Sequence, residues 1–364
     1  MPIKVIGFPS LYVQGPGALD RLGPCLGSLA DGGAVVALVD PFVMPLFKSV
    51  AAELGDKHGI RMNLLAFTGE CTRREIDRLV AAIGDNACTA IVGVGGGKAL
   101  DTAKAVAHAL SVSIVIVPTI ASSDAPTSRL MAIYDENHKI VEVPLLRRNP
   151  DAVLVDTSVI RSAPRRFFVA GIGDAITKKF EVADSVGAGL PNFFQGAPTR
   201  LASLLAESCY QVIRTDAVAA MEVFDLAVPS EVANAAFERV VEATVLYSGL
   251  AFEGGGLSIA HGMLRGITAY PQTQQALHGE LVAYGLLVQL AANGFADDAL
   301  LEIRDFLVKL GLPVCLADIG LPNGSDNDIR NIASLTFEAP YVAARHELVS
   351  RQQLAEAIVR VESL

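Results

Sequence analysis

The feature that most constrains this chain is a regular alternation in its N-terminal part. Short apolar runs rich in β-branched residues fall at 34–39, 62–67, 89–94 and 113–117. Helix-forming stretches fall between them, at 41–57, 73–83 and 98–110. Runs that are apolar at every position must be covered on both faces, which predicts a mostly parallel, doubly wound sheet with ligand sites at the carboxyl ends of the strands. Two further strands are expected at 4–8 and 11–14 around Pro9-Ser10, with a helix at 18–29. A hairpin is expected from 130–134 and 139–143 around Asp135-Glu136-Asn137-His138, and a last strand at 152–155.

Within this pattern the stretch VGVGGGKALDTAK, residues 92–104, joins a strand to a helix through Gly95, Gly96 and Gly97. Consecutive glycines remove every Cβ where the backbone turns, so an anion can approach the N–H groups of the helix start. It is not a Walker loop, because Val92 stands at the first glycine and Ala99 at the Ser/Thr position. It is not GxGxxG either, because Lys98 occupies the last glycine. A ligand-free tight turn and a pyrophosphate seat both fit the glycines. Asp40 ends the 34–39 strand, where an acid accepts from a ribose hydroxyl and repels a 2′-phosphate, or simply caps the helix opened by Pro41. The polar segment PTIASSDAPTS, 118–128, follows the 113–117 strand at the same edge.

A composition break at Ser162-Ala163-Pro164 divides the chain into an α/β domain, 1–163, and a second domain, 164–364. The second contains long helical stretches without alternating strands, at 165–187, 200–216, 230–250, 255–270, 278–293 and 296–310, with a final set over 326–359. It holds three candidate ligands: Asp174 in GIGDAITKKFE, His261 in GGGLSIAHGM and His278 in ALHGELVAYG. Two imidazoles and a carboxylate suit zinc or iron(II) and leave coordination positions open. Each histidine alone reads equally well as a structural residue or cap, and nothing like HExxH is present. Both of these histidines sit in glycine-flanked settings, with Gly262 after His261 and Gly279 after His278.

Charge and composition narrow the function. A net charge of −10 argues against non-specific nucleic-acid binding. Five scattered cysteines without CxxC pairs fit a reducing compartment, and the N-terminus lacks the pattern of a signal peptide. A cytoplasmic enzyme with no membrane span is the expectation.

Five blocks in order (GGGKALDTAK, PTIASSDAPTS, AGIGDAITKKFE, LAFEGGGLSIAHG and LHGELVAYG) resemble those of glycerol dehydrogenases, within the iron-containing, group III alcohol dehydrogenases. The resemblance implies a dinucleotide-binding α/β domain followed by an all-α domain, the dehydroquinate synthase-like architecture, with the active site in the cleft between. It implies NAD contacts at Asp40, at Gly97, Lys98 and Asp101 of the pyrophosphate loop, at Thr119 and Ser122, and at Ser128, Leu130 and Tyr134 on the nicotinamide side. It further implies a substrate contact at Asp124 and a divalent metal, zinc or iron, on Asp174, His261 and His278. The implied reaction is oxidation of a secondary alcohol or vicinal diol, glycerol to dihydroxyacetone first, by a homo-oligomer, an octamer by the family's habit.

Two departures bear on the substrate: HGMLRG, with Leu264 and Arg265 where HAIHNG is usual, and FEGGG, with Gly254 in place of a serine. Gly254 is expected to loosen its surroundings. A dehydroquinate synthase-like lyase is the alternative enzyme, but Lys178, Lys179 and Arg265 form no dense basic cluster for a phosphorylated substrate. An inactive nucleotide-binding scaffold is the non-catalytic alternative.

Overall fold

The computed structural model describes residues 2–30, 32–84, 88–136, 139–322, 324–345 and 347–364. The chain divides into two compact units, one of 7–121 and 125–164, the other of 165–364 together with 122–124 and the N-terminal segment ending at Ile6.

The first unit is built on strands β1 (Tyr12–Gly15), β2 (Ala34–Val39), β3 (Met62–Ala66), β4 (Cys88–Gly95), β5 (Ser113–Pro118) and β8 (Ala152–Asp156). These form one parallel sheet in the order β1-β8-β5-β4-β2-β3. One face presents Val35, Ala37, Val39, Val92, Val94, Val115, Val117 and Leu154 to Leu22 and Leu26 of helix Leu22–Leu29 and to Phe47 and Leu54 of helix Met44–His58. On the other face helix Gly97–Leu110 packs so closely that a Cβ on Gly93 would stand 2.6 Å from that of Ala103. The central strands β2, β4, β5 and β8 are therefore buried on both sides, as their apolar runs require, while the edge strands β1 and β3 are less covered. A small antiparallel hairpin joins β6 (Ile133–Tyr134) to β7 (Ile140–Glu142). The turn expected at Asn137-His138 lies outside the described residues.

The segment expected as a strand at 4–8 is not part of this sheet. It finds its partners in the other unit, where Val5 N–H donates to Ala197 O and Ala197 N–H to Ile3 O, with only an isolated bridge between Lys4 and Ala197.

The second unit is helical. Two expected helices are broken where side chains matter. The 165–187 stretch is Arg165–Ala175 followed by Lys178–Gly187, and between them Thr177 turns its hydroxyl back to Asp174 O at 2.8 Å. The 230–250 stretch is Glu231–Glu242, a π-helical turn at Ala243–Tyr247, and Ser248–Gly255. Helices Ile259–Ile267 and His278–Ala292 complete the part that concerns function. Among the described residues no helix is long and apolar enough to cross a membrane.

Candidate metal centre and nucleotide edge

Glycines set the positions of the candidate ligands in the helical unit. A Cβ on Gly279 would lie 1.8 Å from Ala170 O, and one on Gly173 2.5 Å from Gly279 O. Helices Arg165–Ala175 and His278–Ala292 thus touch backbone to backbone, which brings Asp174 and His278 together. Gly262 plays a similar part on the third helix, where a Cβ would meet Val342 at 2.5 Å. The glycines flanking the two histidines are explained by this packing.

Asp174, His261 and His278 each offer one ligand atom, and these atoms lie within 4.8 Å of one another. Asp174 Oδ1 is 3.2 Å from His261 Nε2 and 3.9 Å from His278 Nε2. Asp174 is fully buried, His261 nearly so, and His278 half exposed. Asp174 Oδ2 is buried without a hydrogen-bond partner, a costly arrangement for a carboxylate unless a cation takes that lone pair. A carboxylate, two imidazoles and an orphaned oxygen fit a divalent ion.

Three residues that the sequence reading did not single out complete the cluster. Glu181 is fully buried. Its Oε1 accepts from the N–H groups of Ser258 and His261, both at 3.0 Å, and its Oε2 lies 2.7 Å from His261 Nδ1. Thr177 adds its hydroxyl to the same Oε2 at 3.0 Å. Ser248, presented just after the π turn, donates to Asp124 Oδ2 at 2.8 Å. Lys178, wholly buried, lies 2.6 Å from Asp174 Oδ1 and 3.1 Å from Asp124 Oδ2. Glu181 stands seven residues after Asp174 in the quoted block, and that spacing was the one available signal.

These charges shift one another. Burial alone would raise the Asp174 carboxyl, but the Lys178 ammonium and the His261 hydrogen bond hold it well below the usual range. Burial would likewise depress His261, yet the Glu181 charge outweighs it and lifts the imidazole to about 9. Glu181 falls to about 2, with His261 overcoming burial. Asp124 is raised, by burial first and then by Asp174.

The departures from the family pattern also have places. A Cβ on Gly254 would stand 2.8 Å from Ile6 Cδ1 and 3.2 Å from Ala202 Cβ, and Gly254 O accepts from Asn192. The position is tightly packed, contrary to the loosening expected. Arg265 is exposed and reaches Glu338 at 3.5 Å, while Leu264 is half-buried.

In the α/β unit, β3 lies beyond β2 while β5 lies beyond β4, so the strand order reverses between β2 and β4. Ligands bind at such a reversal. Asp40 and the glycine turn meet there: Asp40 N–H donates to Val94 O at 2.9 Å, and a Cβ on Gly95 (φ +148°) would lie 3.0 Å from Asp40 Cβ. Asp40 Oδ1 also accepts from Phe42 N–H at 3.0 Å, so it caps as well. Gly97 opens the helix, and a Cβ on Gly96 would meet Ile120 at 2.7 Å. Thr119 N–H donates to Gly95 O at 3.0 Å, which ties the next loop to the turn.

Lys98 extends to Glu70 Oε2 at 2.6 Å and lies over the Tyr134 ring. Asp101 is buried with both oxygens engaged, by Lys104 at 3.0 Å and by Ala132 N–H at 3.0 Å. Lys104 also donates to Ala125 O and Leu130 O, so this pair braces the loop. Ser128 is buried and Leu130 half-buried on that loop, whereas Ser122 belongs with the helical unit.

A doubly wound sheet with this reversal, followed by a helical unit carrying an Asp/His/His cluster, fits a metal-assisted nicotinamide oxidoreductase. The family model for iron-containing alcohol dehydrogenases matches residues 9–157. A glycerol dehydrogenase of Pseudomonas putida is 39% identical over 332 residues, 91% of this chain and 89% of that one. A glycolaldehyde reductase of Halobacterium salinarum is 38% identical over 91% of this chain and 89% of its own. The crystal structure of glycerol dehydrogenase from Schizosaccharomyces pombe superposes with a TM-score of 0.92 at 32% identity, covering 99% of this chain and 90% of that one. The chain belongs to the glycerol dehydrogenase family of the iron-containing alcohol dehydrogenases, and it is an oxidoreductase.

Proposed function

We propose that the protein oxidises the secondary hydroxyl of a vicinal diol with NAD, glycerol to dihydroxyacetone being the first substrate to test. The observation that carries this reading is the convergence of Asp174, His261 and His278, with the orphaned Asp174 Oδ2 among them. Those three residues would hold one divalent ion, zinc by preference because the reaction asks only for a Lewis acid. When bound, it lowers the pKa of a hydroxyl brought to it, and NAD supplies the hydride acceptor.

The chain's own residues do the rest. Glu181, ionised and 2.7 Å from His261 Nδ1, fixes the proton on that nitrogen and leaves the Nε2 lone pair for the ion. Asp124, steadied by Ser248 and Lys178, would orient the remaining hydroxyls of a polyol. Asp40 beside the glycine turn would take the adenosine ribose, with Gly97 and Lys98 at the pyrophosphate, Thr119 and Ser122 next along, and Ser128, Leu130 and Tyr134 toward the nicotinamide. Asp101, with both oxygens engaged, acts by bracing that loop. Residues 1–163 and 164–364 would be the two functional domains, in a homo-oligomer.

The test is NAD reduction by zinc-loaded protein on glycerol, 1,2-propanediol, 2,3-butanediol and simple secondary alcohols, beside NADH-dependent reduction of glycolaldehyde. His278→Ala is assayed in parallel. Turnover of diols, with loss of both zinc and activity in the variant, supports the proposal. Turnover of glycolaldehyde alone moves the substrate to that of the Halobacterium relative. Activity unchanged in His278→Ala would refute the site.

A further inference from the structure

The proposed reaction gives Lys178 no task beyond steadying Asp124, yet its ammonium sits inside the ligand cluster with no exposure to solvent. Nζ meets Asp174 Oδ1 at 2.6 Å, Asp124 Oδ2 at 3.1 Å and His261 Nε2 at 3.3 Å. The two carboxylates take two of its three N–H donors, and the third side of the ammonium faces His261 Nε2, which can accept from it only when that nitrogen carries no proton. The Phe252 ring lies on another side, its centroid 5.6 Å away. The two acids come from separate segments, and the ammonium joins them.

We propose that Lys178 is a resident counter-cation of the metal site: it neutralises Asp124 and Asp174 when no metal is held, and it weakens the site's hold on a dication. The inference rests on reading the triad as a metal centre. An ion on His261 Nε2 at about 2.1 Å could be no farther than roughly 5.4 Å from the ammonium. Even at the dielectric constant of water, repulsion between a single and a double charge at that distance is worth about tenfold in affinity, and at an effective dielectric near 20 several powers of ten. Against this stands the support that Lys178 gives the ligating carboxylate from outside, worth roughly ten- to a hundred-fold. Repulsion is the larger effect inside a buried site. Removing the charge therefore tightens binding.

The test measures Zn²⁺ and Co²⁺ affinity by competition with a chromophoric chelator at pH 8, on metal-stripped wild type, K178M, K178R and D174N. Thermal melts run with and without the metal. Binding in K178M at least tenfold tighter than in wild type is expected, with a larger rise in melting temperature on adding metal. K178R, which keeps the charge, should stay within a few-fold of wild type. D174N should lose binding; if it binds like wild type, the metal-centre reading itself is wrong. Loss in D174N combined with equal or weaker binding in K178M overturns the counter-cation role alone. If K178M is not recovered folded, K178Q, polar but neutral, is read in the same way. A cation still required at 178 in saturating metal would also overturn the proposal, because the ion should then replace the ammonium.

Discussion

Glu181→Gln exchanges one oxygen for an NH₂ group and leaves the shape of the site intact, so its effect isolates proton placement. In the native arrangement Oε1 accepts two backbone N–H groups, from Ser258 and His261, while Oε2 accepts from Thr177 and faces His261 Nδ1. A glutamine satisfies only one side. With its carbonyl toward the two N–H groups, its NH₂ meets Nδ1, which must then accept, and the imidazole proton moves to Nε2, where the metal should bind. With the amide flipped, the NH₂ opposes two buried N–H donors, and an unsatisfied buried donor costs about 1–3 kcal/mol. Losing such an outer-shell carboxylate costs roughly ten- to a hundred-fold in metal affinity, about 1.4–2.7 kcal/mol. The assay is zinc affinity by chelator competition, with urea unfolding of the metal-free variant as the stability readout. Zinc affinity equal to wild type, in a variant of unchanged fold, would refute the tautomer argument.

Two more predictions follow from the same geometry. In the metal-free protein His261 is raised from 6.5 to about 9, so its contribution to stability is fully present below pH 6.5 and lost as pH rises through 9. The loss should reach about 3 kcal/mol; bound zinc, which requires the unprotonated ring, should abolish that slope in urea unfolding at pH 6.5, 7.5 and 9. A metal-free stability that is flat or rises over this range would exclude a charged His261. Gly279→Ala sets a Cβ 1.8 Å from a backbone oxygen that no rotamer change can move, and should cost at least about 3 kcal/mol and displace His278. Gly27→Ala, in a helix interior with nothing within 4 Å, should be neutral or stabilise by about 0.5–1 kcal/mol; similar urea midpoints for the two variants would refute the packing argument.

Strands β2, β4 and β5 were legible in the sequence because a doubly covered strand must be apolar at every position, and such runs stand out. Helix Arg73–Ile83 was legible too, as a helix-forming stretch between two apolar runs, with the same bounds. The segment at 4–8 misled because its composition suits a strand, whereas pairing depends on a neighbour that local sequence does not specify. The breaks at 176–177 and 243–247 are not legible in the sequence, because neither carries the Gly or Pro that marks a helix end.

The candidate ligands are legible from residue type and family resemblance, whereas their surroundings are not. Sequence by itself determined the fold class and the chemistry on offer: a glycine turn after a buried strand, an acid ending its neighbour, and a carboxylate with two imidazoles. Tertiary structure alone decided that Glu181 faces His261 Nδ1, that Lys178 lies among the candidate ligands, and that Gly254 is packed against Ile6. The physical reason is range. Strand and helix preferences act over a few residues, whereas hydrogen bonds and charges inside a buried cluster join Glu181 to His261, 80 residues apart, and depend on distances that only the packed chain sets.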